Sequence, residues 1–413
     1  MKTQAIIAGA RRGLHGHGRA RRTLLVFMAG APVVLALSAT ATGTRARAGP
    51  AGTALIFTQV PYKTDARGGR PPGFLLNRAG GQGSRLCSLS STGAFKVLTP
   101  EFAAAADSSV SFDAARIVFA ARRSTQDAWN IWEMRLDGTD KRQLTRDLGN
   151  CREPEYLARS SITPPDFTDK VRWITFVSDG AGVFAEGGSE AATSLYVTNT
   201  EPIRERGTVV WRTTFNLSSD FSPAVLRDGR VLFTSTQRAS RTPGSGLRYP
   251  LLSSNWDGSG LNLFCGDEQG AAIKTMAVES DDRHLVFVEA PTGQESGGRL
   301  ARVSFRRPLR THEVLSKESG YYLYPRPLPE GRLLTSFTGG RESYGLFVLD
   351  YRKGSRGVKL FDDPQWEDLD GQPVMLRPEP QGLISSVVEG LDWADLHCMS
   401  VYESDRPPAA TRR

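Results

Sequence analysis

A short apolar run that returns along the chain constrains this sequence more than any other feature. Leu55-Ile56-Phe57-Thr58 is the first occurrence, and the next begin at Ile117, Ile174, Val231, Leu285 and Leu333. Their starts lie 62, 57, 57, 54 and 48 residues apart. A period of this size marks a fold built from repeated supersecondary units, each burying its apolar faces against its neighbours. Each run is continuously apolar, as expected for an inner strand covered on both faces. Helical periodicity is nearly absent; the best helix candidate is Glu101–Asp107, one or two turns.

The surroundings of the runs recur as well. A turn precedes most of them: Ser111-Phe112-Asp113, Arg227-Asp228-Gly229, Ser280-Asp281-Asp282 and Pro329-Glu330-Gly331. An alternating strand follows, such as Asn130–Met134, Ser194–Val197 or Gly345–Leu349. Asp137-Gly138 and Asp257-Gly258 read as tight hairpins, because glycine accepts positive φ at little cost. A last strand closes on Leu98-Thr99, Leu144-Thr145 or Leu315-Ser316. Strand, turn, strand, Asp-Gly and strand make one antiparallel blade. The fold class is therefore all-β, a β-propeller of about six four-stranded blades spanning residues 50–370.

The N-terminus reads differently. Lys2, Arg11, Arg12, Arg19, Arg21 and Arg22 precede an apolar run from Leu24 to Leu37, and small residues follow. Ala39-Thr40-Ala41 and Ala46-Arg47-Ala48 are A-x-A sites, so a signal peptide and processing region is expected over 1–48, with cleavage after Ala41 or Ala48. The apolar run is shorter than the ~20 residues that cross a bilayer, and Pro32 interrupts it. No stable membrane span is expected once the signal is cleaved. This segment also explains the charge. The chain carries 52 basic and 44 acidic residues, net +8, but the first 48 hold eight basic residues and no acidic one. Cleavage after Ala48 leaves the two signs balanced, so a nucleic-acid partner is not expected.

Residues 108–145 (SSVSFDAARIVFAARRSTQDAWNIWEMRLDGTDKRQLT) carry a turn, an apolar strand, Ile-Trp-x-Met, Asp-Gly and Leu-Thr in order. They resemble the WD40-like repeat of TolB-type propellers, and Val225–Gly266 resembles the same repeat. The chain is also similar, over roughly residues 54–380, to the middle propeller domain of the hydrazine synthase alpha subunit and its relatives. That resemblance implies a propeller and raises haem and redox chemistry as an expectation to be tested on the residues. Covalent c-type haem needs C-x-x-C-H. The sequence has none: Cys398 follows His397, and Cys87, Cys151 and Cys265 stand alone. The haem expectation fails there.

The cysteines lie downstream of the signal, where disulfides form; four thiols or one bridge are favoured over two bridges, and the pairing is open. Only His284, His312 and His397 follow the signal, too dispersed for a histidine-rich metal site. His284, just before an apolar run, is either channel-facing or a solvated turn residue. No G-x-S-x-G elbow occurs, and Gly187-Gly188-Ser189-Glu190-Ala191 is a near miss without a strand–helix setting. No catalytic, cofactor-binding or metal residue is therefore predicted, and no cofactor. Gly/Pro-rich inserts at Tyr62–Gly73, Ser178–Thr193 and Arg238–Tyr249 follow the apolar runs and should share one rim, where repeat folds bind. Residues 371–413 do not repeat and are expected to pack on the propeller, with strands from both ends of the chain closing the ring. Phe119, Phe176, Phe233 and Phe287 read as core, as does Tyr321–Tyr324.

The functional expectation is an exported periplasmic or envelope module, not an enzyme, holding a protein or cell-envelope component. The alternatives are an accessory or degenerate relative of a hydrazine-synthase-like redox subunit, and a propeller-type carbohydrate-active enzyme using carboxylates.

Overall fold

The apolar runs form the second strand of each blade: Ala54–Pro61, Arg116–Arg122, Trp173–Ser178, Val231–Ser235, His284–Ala290 and Arg332–Thr338. The structure, a computed structural model, describes residues 54–62, 81–158, 171–185, 190–203, 207–238, 247–266, 273–294, 296–316, 319–351 and 357–382. Among these are six four-stranded antiparallel sheets and one small hairpin, Gln237–Arg238 with Leu247–Arg248. The expected six-bladed, all-β propeller is what the chain forms. Its only described helical element is a 3-10 turn at Pro329–Gly331. The signal region, including Ala41 and Ala48, lies outside the described residues, as do His397 and Cys398. No described helix is long and apolar enough to cross a membrane.

Two expectations change. The apolar runs are not innermost; a further strand lies inside each of them, earlier in the chain for blades 2 to 6 and at the C-terminal end for blade 1. These axial strands are Ala104–Val110, Cys151–Leu157, Asp220–Val225, Ile273–Glu279, Tyr321–Leu328 and Trp366–Val374. The inserts accordingly follow second strands rather than inner ones. The helix candidate Glu101–Asp107 is instead the approach to the axial strand of blade 2, whose three alanines are buried or nearly so. High helix propensity is overridden there by the burial and pairing available along the axis.

Closure occurs as expected. Trp366–Val374, from the C-terminal end, pairs antiparallel with Ala54–Pro61 and becomes the innermost strand of blade 1. This removes an open sheet edge on each side. The propeller thus runs to Val374, four residues past the sequence boundary at 370.

The repeated phenylalanine has a backbone reason. Phe57, Phe119, Phe176, Phe233 and Phe287 are fully buried. Each lies opposite a two-residue bulge in its neighbouring axial strand; at Phe119 the register jumps between Ala106 and Ser109. Blade 6 has Thr335 in this place, and its hydroxyl donates to the Leu323 carbonyl at 2.8 Å. The Leu-Thr ending also has a cause. The hydroxyl after the outer strand accepts the third strand's free N–H: Leu86 N to Thr99 Oγ1 at 2.9 Å, Ile131 N to Thr145 Oγ1 at 2.8 Å, Leu195 N to Thr214 Oγ1 at 3.0 Å and Leu300 N to Ser316 Oγ at 3.2 Å. Thr145→Val keeps the shape and strands the buried Ile131 donor, at a cost of about 1–3 kcal/mol. Urea unfolding of that variant measures it; an unchanged midpoint removes the bond's role in stability. The Asp-Gly hairpins are as read: Gly258 sits at φ +86°, where a Cβ would lie 2.0 Å from the Thr213 carbonyl oxygen.

Candidate functional site

The first residue of each axial bulge is in the left-handed region without being glycine: Asp107, Glu153, Ser222, Met276, Tyr324 and Asp370, with φ between 50° and 55°. Such a conformation costs about 1–2 kcal/mol per residue, so something must hold it. Part of the answer is a relay around the axis, in which the side chain of one bulge takes the N–H of the next. Glu153 N donates to Asp107 Oδ2 (3.2 Å), Ser222 N to Glu153 Oε2 (2.5 Å), Met276 N to Ser222 Oγ (3.0 Å) and Tyr324 N to Met276 Sδ (3.4 Å). The second bulge residue is proline at Pro154, Pro223 and Pro325. A bulge leaves that position unpaired, so the missing N–H is tolerated there.

These bulges wall a central cavity of about 540 Å³, part of it open to solvent. Its lining is divided. Asp107, Glu153, Glu155, Asp370 and Arg326 stand on blades 1, 2, 3 and 6, whereas Phe221, Met276, Ala277 and Val278 of blades 4 and 5 are apolar. Arg326 bridges Glu155 Oε1 at 3.1 Å and Asp370 Oδ1 at 3.0 Å, and Arg152 binds Asp107 at 2.5 Å while resting 4.2 Å from the Trp129 ring. Ser109 donates to Glu155 Oε2 at 2.7 Å and Gln372 to Asp370 Oδ1 at 2.9 Å. The two carboxylate partners hold the Arg326 guanidinium protonated above its ordinary range against the opposing effect of burial. Beyond the closing strand, Arg377 covers the turn side of this channel. Its N–H donates to the Phe112 carbonyl (2.9 Å) and Nη2 to the Val110 carbonyl (2.5 Å).

Burial raises two acids of the closing strand, Asp370 to about 6 and Asp368 to about 8. Asp368 accepts from Gln59 Nε2 and from Asp363 N, both at 2.8 Å. An aspartate ordinarily titrates near 4, so between pH ~4 and ~8 the folded chain binds more protons than the unfolded one. The stabilisation from these groups is complete below pH ~4 and is lost as pH rises through 6 and then 8. Asp368→Asn is expected to flatten the fall between pH 6 and 8, whatever its absolute stability. Urea midpoints across that range test this; an unchanged slope rules Asp368 out as the source.

The singled-out residues are dispersed. His284 is the turn residue, with Nδ1 at 3.2 Å from both the carbonyl oxygen and Oδ1 of Asp282, and it does not line the cavity. His312 pairs with Glu289 at 2.7 Å, away from the axis. Cys87 and Cys151 are buried free thiols in different blades, pushed up to about 12 and about 11 chiefly by burial; Cys265 is buried as well. Of the tyrosine cluster, Tyr322 is core but Tyr324 lines the channel. Among the described residues, no group of three or more His, Cys, Asp or Glu has metal-holding geometry. The axial ring itself went unpredicted. Its signal was present in Ser222-Pro223 and Tyr324-Pro325, each proline eight residues before a second-strand run, and in Glu153-Pro154 further ahead of its own.

The two faces of the ring differ. Alternation of strand direction sends every connection from second to third strand, and from outer strand to next blade, to one face. The described ends of the three inserts lie on it, while residues 63–80, 186–189 and 239–246 lie outside the described residues. Phe184 in the insert of blade 3, and Phe215 and Leu217 in its connection to blade 4, are 67 %, 72 % and 69 % exposed on that face. Arg212 lies over the Phe215 ring at 4.7 Å.

No protein-family model matches the chain. Hydrazine synthase subunit alpha of Kuenenia stuttgartiensis is 32% identical over 343 residues, covering 73% of this chain and 42% of that protein. The solved hydrazine synthase of the same organism superposes with a TM-score of 0.72 at 30% identity, over 82% of this chain and 48% of that one. A chain of a nidogen/laminin complex matches with a TM-score of 0.51 at 12% identity, over 79% of this chain and all of its own, a likeness of fold alone. TolB from Acinetobacter baumannii matches with a TM-score of 0.43 at 13% identity, over 78% of this chain and 66% of its own. The chain thus spans less than half the length of the curated relative it matches.

Proposed function

Because this chain is a homologue of the hydrazine synthase alpha subunit over the stretch the two share, we propose that it retains the propeller as an exported binding module of the periplasm or cell envelope. It holds a protein or envelope component on the insert face and performs no chemistry itself. One observation carries this reading: Phe184, Phe215 and Leu217 are exposed together on the face that also bears the inserts. Large apolar groups gathered on one face are what a partner surface covers. The axial carboxylates support it, since Asp107, Glu155 and Asp370 are held by arginines and Glu153 by a backbone donor. They serve the ring rather than standing ready as acid and base.

The homology favours a second reading, an accessory or degenerate relative of a redox subunit. Covalent haem attachment does not fit the residues present: the sequence lacks C-x-x-C-H, and Cys87 and Cys151 are buried apart without a neighbouring histidine. No step is therefore derived through a haem.

The test uses the mature protein as bait in envelope extracts, beside a Phe215→Ser/Leu217→Ser variant. The wild type is expected to retain a stoichiometric partner, and the variant to bind it at least about a hundredfold more weakly at unchanged melting temperature, the loss of two buried apolar contacts being about 1.5–3 kcal/mol each. Equal capture by the variant moves the partner elsewhere. A Soret band or stoichiometric metal on the purified protein overturns the binding-only reading in favour of the second.

A further inference from the structure

The insert face carries a second feature, on blade 2 and separate from the apolar trio. Here the end of the second strand, the start of the third, the end of the outer strand and the loop to blade 3 enclose an open cavity of about 710 Å³. One wall consists of donors. Arg122 is stacked on Trp129 at 5.3 Å and Arg123 on Trp132 at 4.9 Å, which fixes both guanidinium groups. Trp132 is 5 % exposed, and its indole Nε1 and the Nε of Arg122 are buried with no hydrogen-bond partner. Both atoms lie beneath the surface, so the groups a ligand can meet on this wall are the half-buried Arg122 and the exposed Arg123.

The other wall supplies acceptors from Asp127, Asn130, Gln143 and Asp147. Gln143 donates an amide N–H to the Thr145 carbonyl, which turns its oxygen to receive, whereas the Asn130 oxygen already accepts from the Thr145 hydroxyl at 3.2 Å. Apolar lining is confined to Ala121, Ala128 and the Trp132 ring, so there is no pocket for a hydrophobic side chain. A ligand that suits both walls carries one anionic group for the arginines and several hydroxyls for the carboxylates and amides. We propose that this cavity binds an acidic saccharide, with a uronic-acid carboxylate on Arg122 and Arg123, and ring hydroxyls on Asp127 and Gln143. The site does not depend on a partner at Phe215, since it lies on another blade.

Titration calorimetry of the whole mature protein with trigalacturonate, with neutral galactose and glucose oligomers of equal length, and with a tri-aspartate peptide decides it. Saturable 1:1 binding of trigalacturonate is expected, with the neutral oligomers weaker by about 10- to 100-fold, the usual weight of a charge-assisted bond. Arg123→Gln, on the cavity rim, is expected to lose about tenfold or more at unchanged melting temperature. Asp127→Asn is expected to weaken binding through the hydroxyls while leaving the preference for acid over neutral sugar intact. Absence of trigalacturonate binding, equal binding by Arg123→Gln, or tighter binding of the peptide than of the saccharide would each overturn the proposal. Capture experiments at the apolar trio are unaffected by any of these results, so failure here is distinguishable from failure there.

Discussion

Arg326→Met is expected to destabilise the propeller by about 3–5 kcal/mol, the loss typical when one partner of a buried ion cluster is removed. Arg326 alone bridges Glu155 on blade 3 and Asp370 on blade 1, at 3.1 and 3.0 Å. Their side chains are 14 % and 6 % exposed, so neither is well solvated when the cation is gone. Methionine fills most of the arginine's stem volume, and the loss is therefore electrostatic rather than a cavity effect. Two consequences distinguish this account. The deficit shrinks toward pH 5, because Asp370, already raised to about 6 by burial, takes up a proton more readily without its cation. The double variant Arg326→Met/Asp370→Asn recovers part of the loss, since one uncompensated charge has gone. Urea midpoints at pH 5 and 8 give both numbers. A loss below about 1 kcal/mol at pH 8, or a deficit independent of pH, shows that the axial network is solvated and unimportant to stability.

The second large effect concerns closure. A chain stopped after Gln365 lacks Trp366–Val374 and leaves blade 1 with three strands and an open inner edge. Val60 to Ala54 then lose their register partners from Glu367 to Val374, and Gln59 loses Asp368. Arg326 loses Asp370 as well, so the ring fails at its edge and at its axis together. The expected result is loss of the cooperative unfolding transition and aggregation through the exposed strand. A chain stopped after Gly382 keeps the closing strand and serves as the control, expected to retain a cooperative transition. A peptide of residues 366–376 added to the shorter chain is expected to restore part of it. Cooperative, near wild-type melting of the chain ending at Gln365 would show that the ring does not depend on this strand.

How much was legible follows from where each residue's neighbours lie. The second strands announced themselves because Phe57, Phe119, Phe176, Phe233 and Phe287 meet the same bulge in five of the six blades, and a repeated environment selects a repeated residue. The Thr and Ser after the outer strands were legible for the same reason. The axial strands carry Ala104-Ala105-Ala106 in one blade and Tyr321-Tyr322-Leu323 in another. They face a channel in which each blade meets different partners, so beyond the proline shared by three of the bulges no common pattern survives at those positions. The candidate cavity on blade 2 was invisible too, since Arg122, Asn130, Gln143 and Asp147 belong to four elements and converge only when the sheet forms.

The sequence by itself determined what depends on local pattern: an all-β chain of six repeating units, turns at Asp-Gly and Ser-x-Asp, ring closure from both ends, and the absence of a C-x-x-C-H site. Tertiary structure alone decided what stands across the axis. Arg326 with Glu155 and Asp370, the relay from Asp107 to Tyr324, and the blade-2 cavity of Arg122, Asn130 and Gln143 join residues from different strands and, along the axis, from different blades. Their energies come from burial and charge at distances of about 3 Å. Those distances exist only once the chain has closed on itself, and spacing along the sequence carries no record of them.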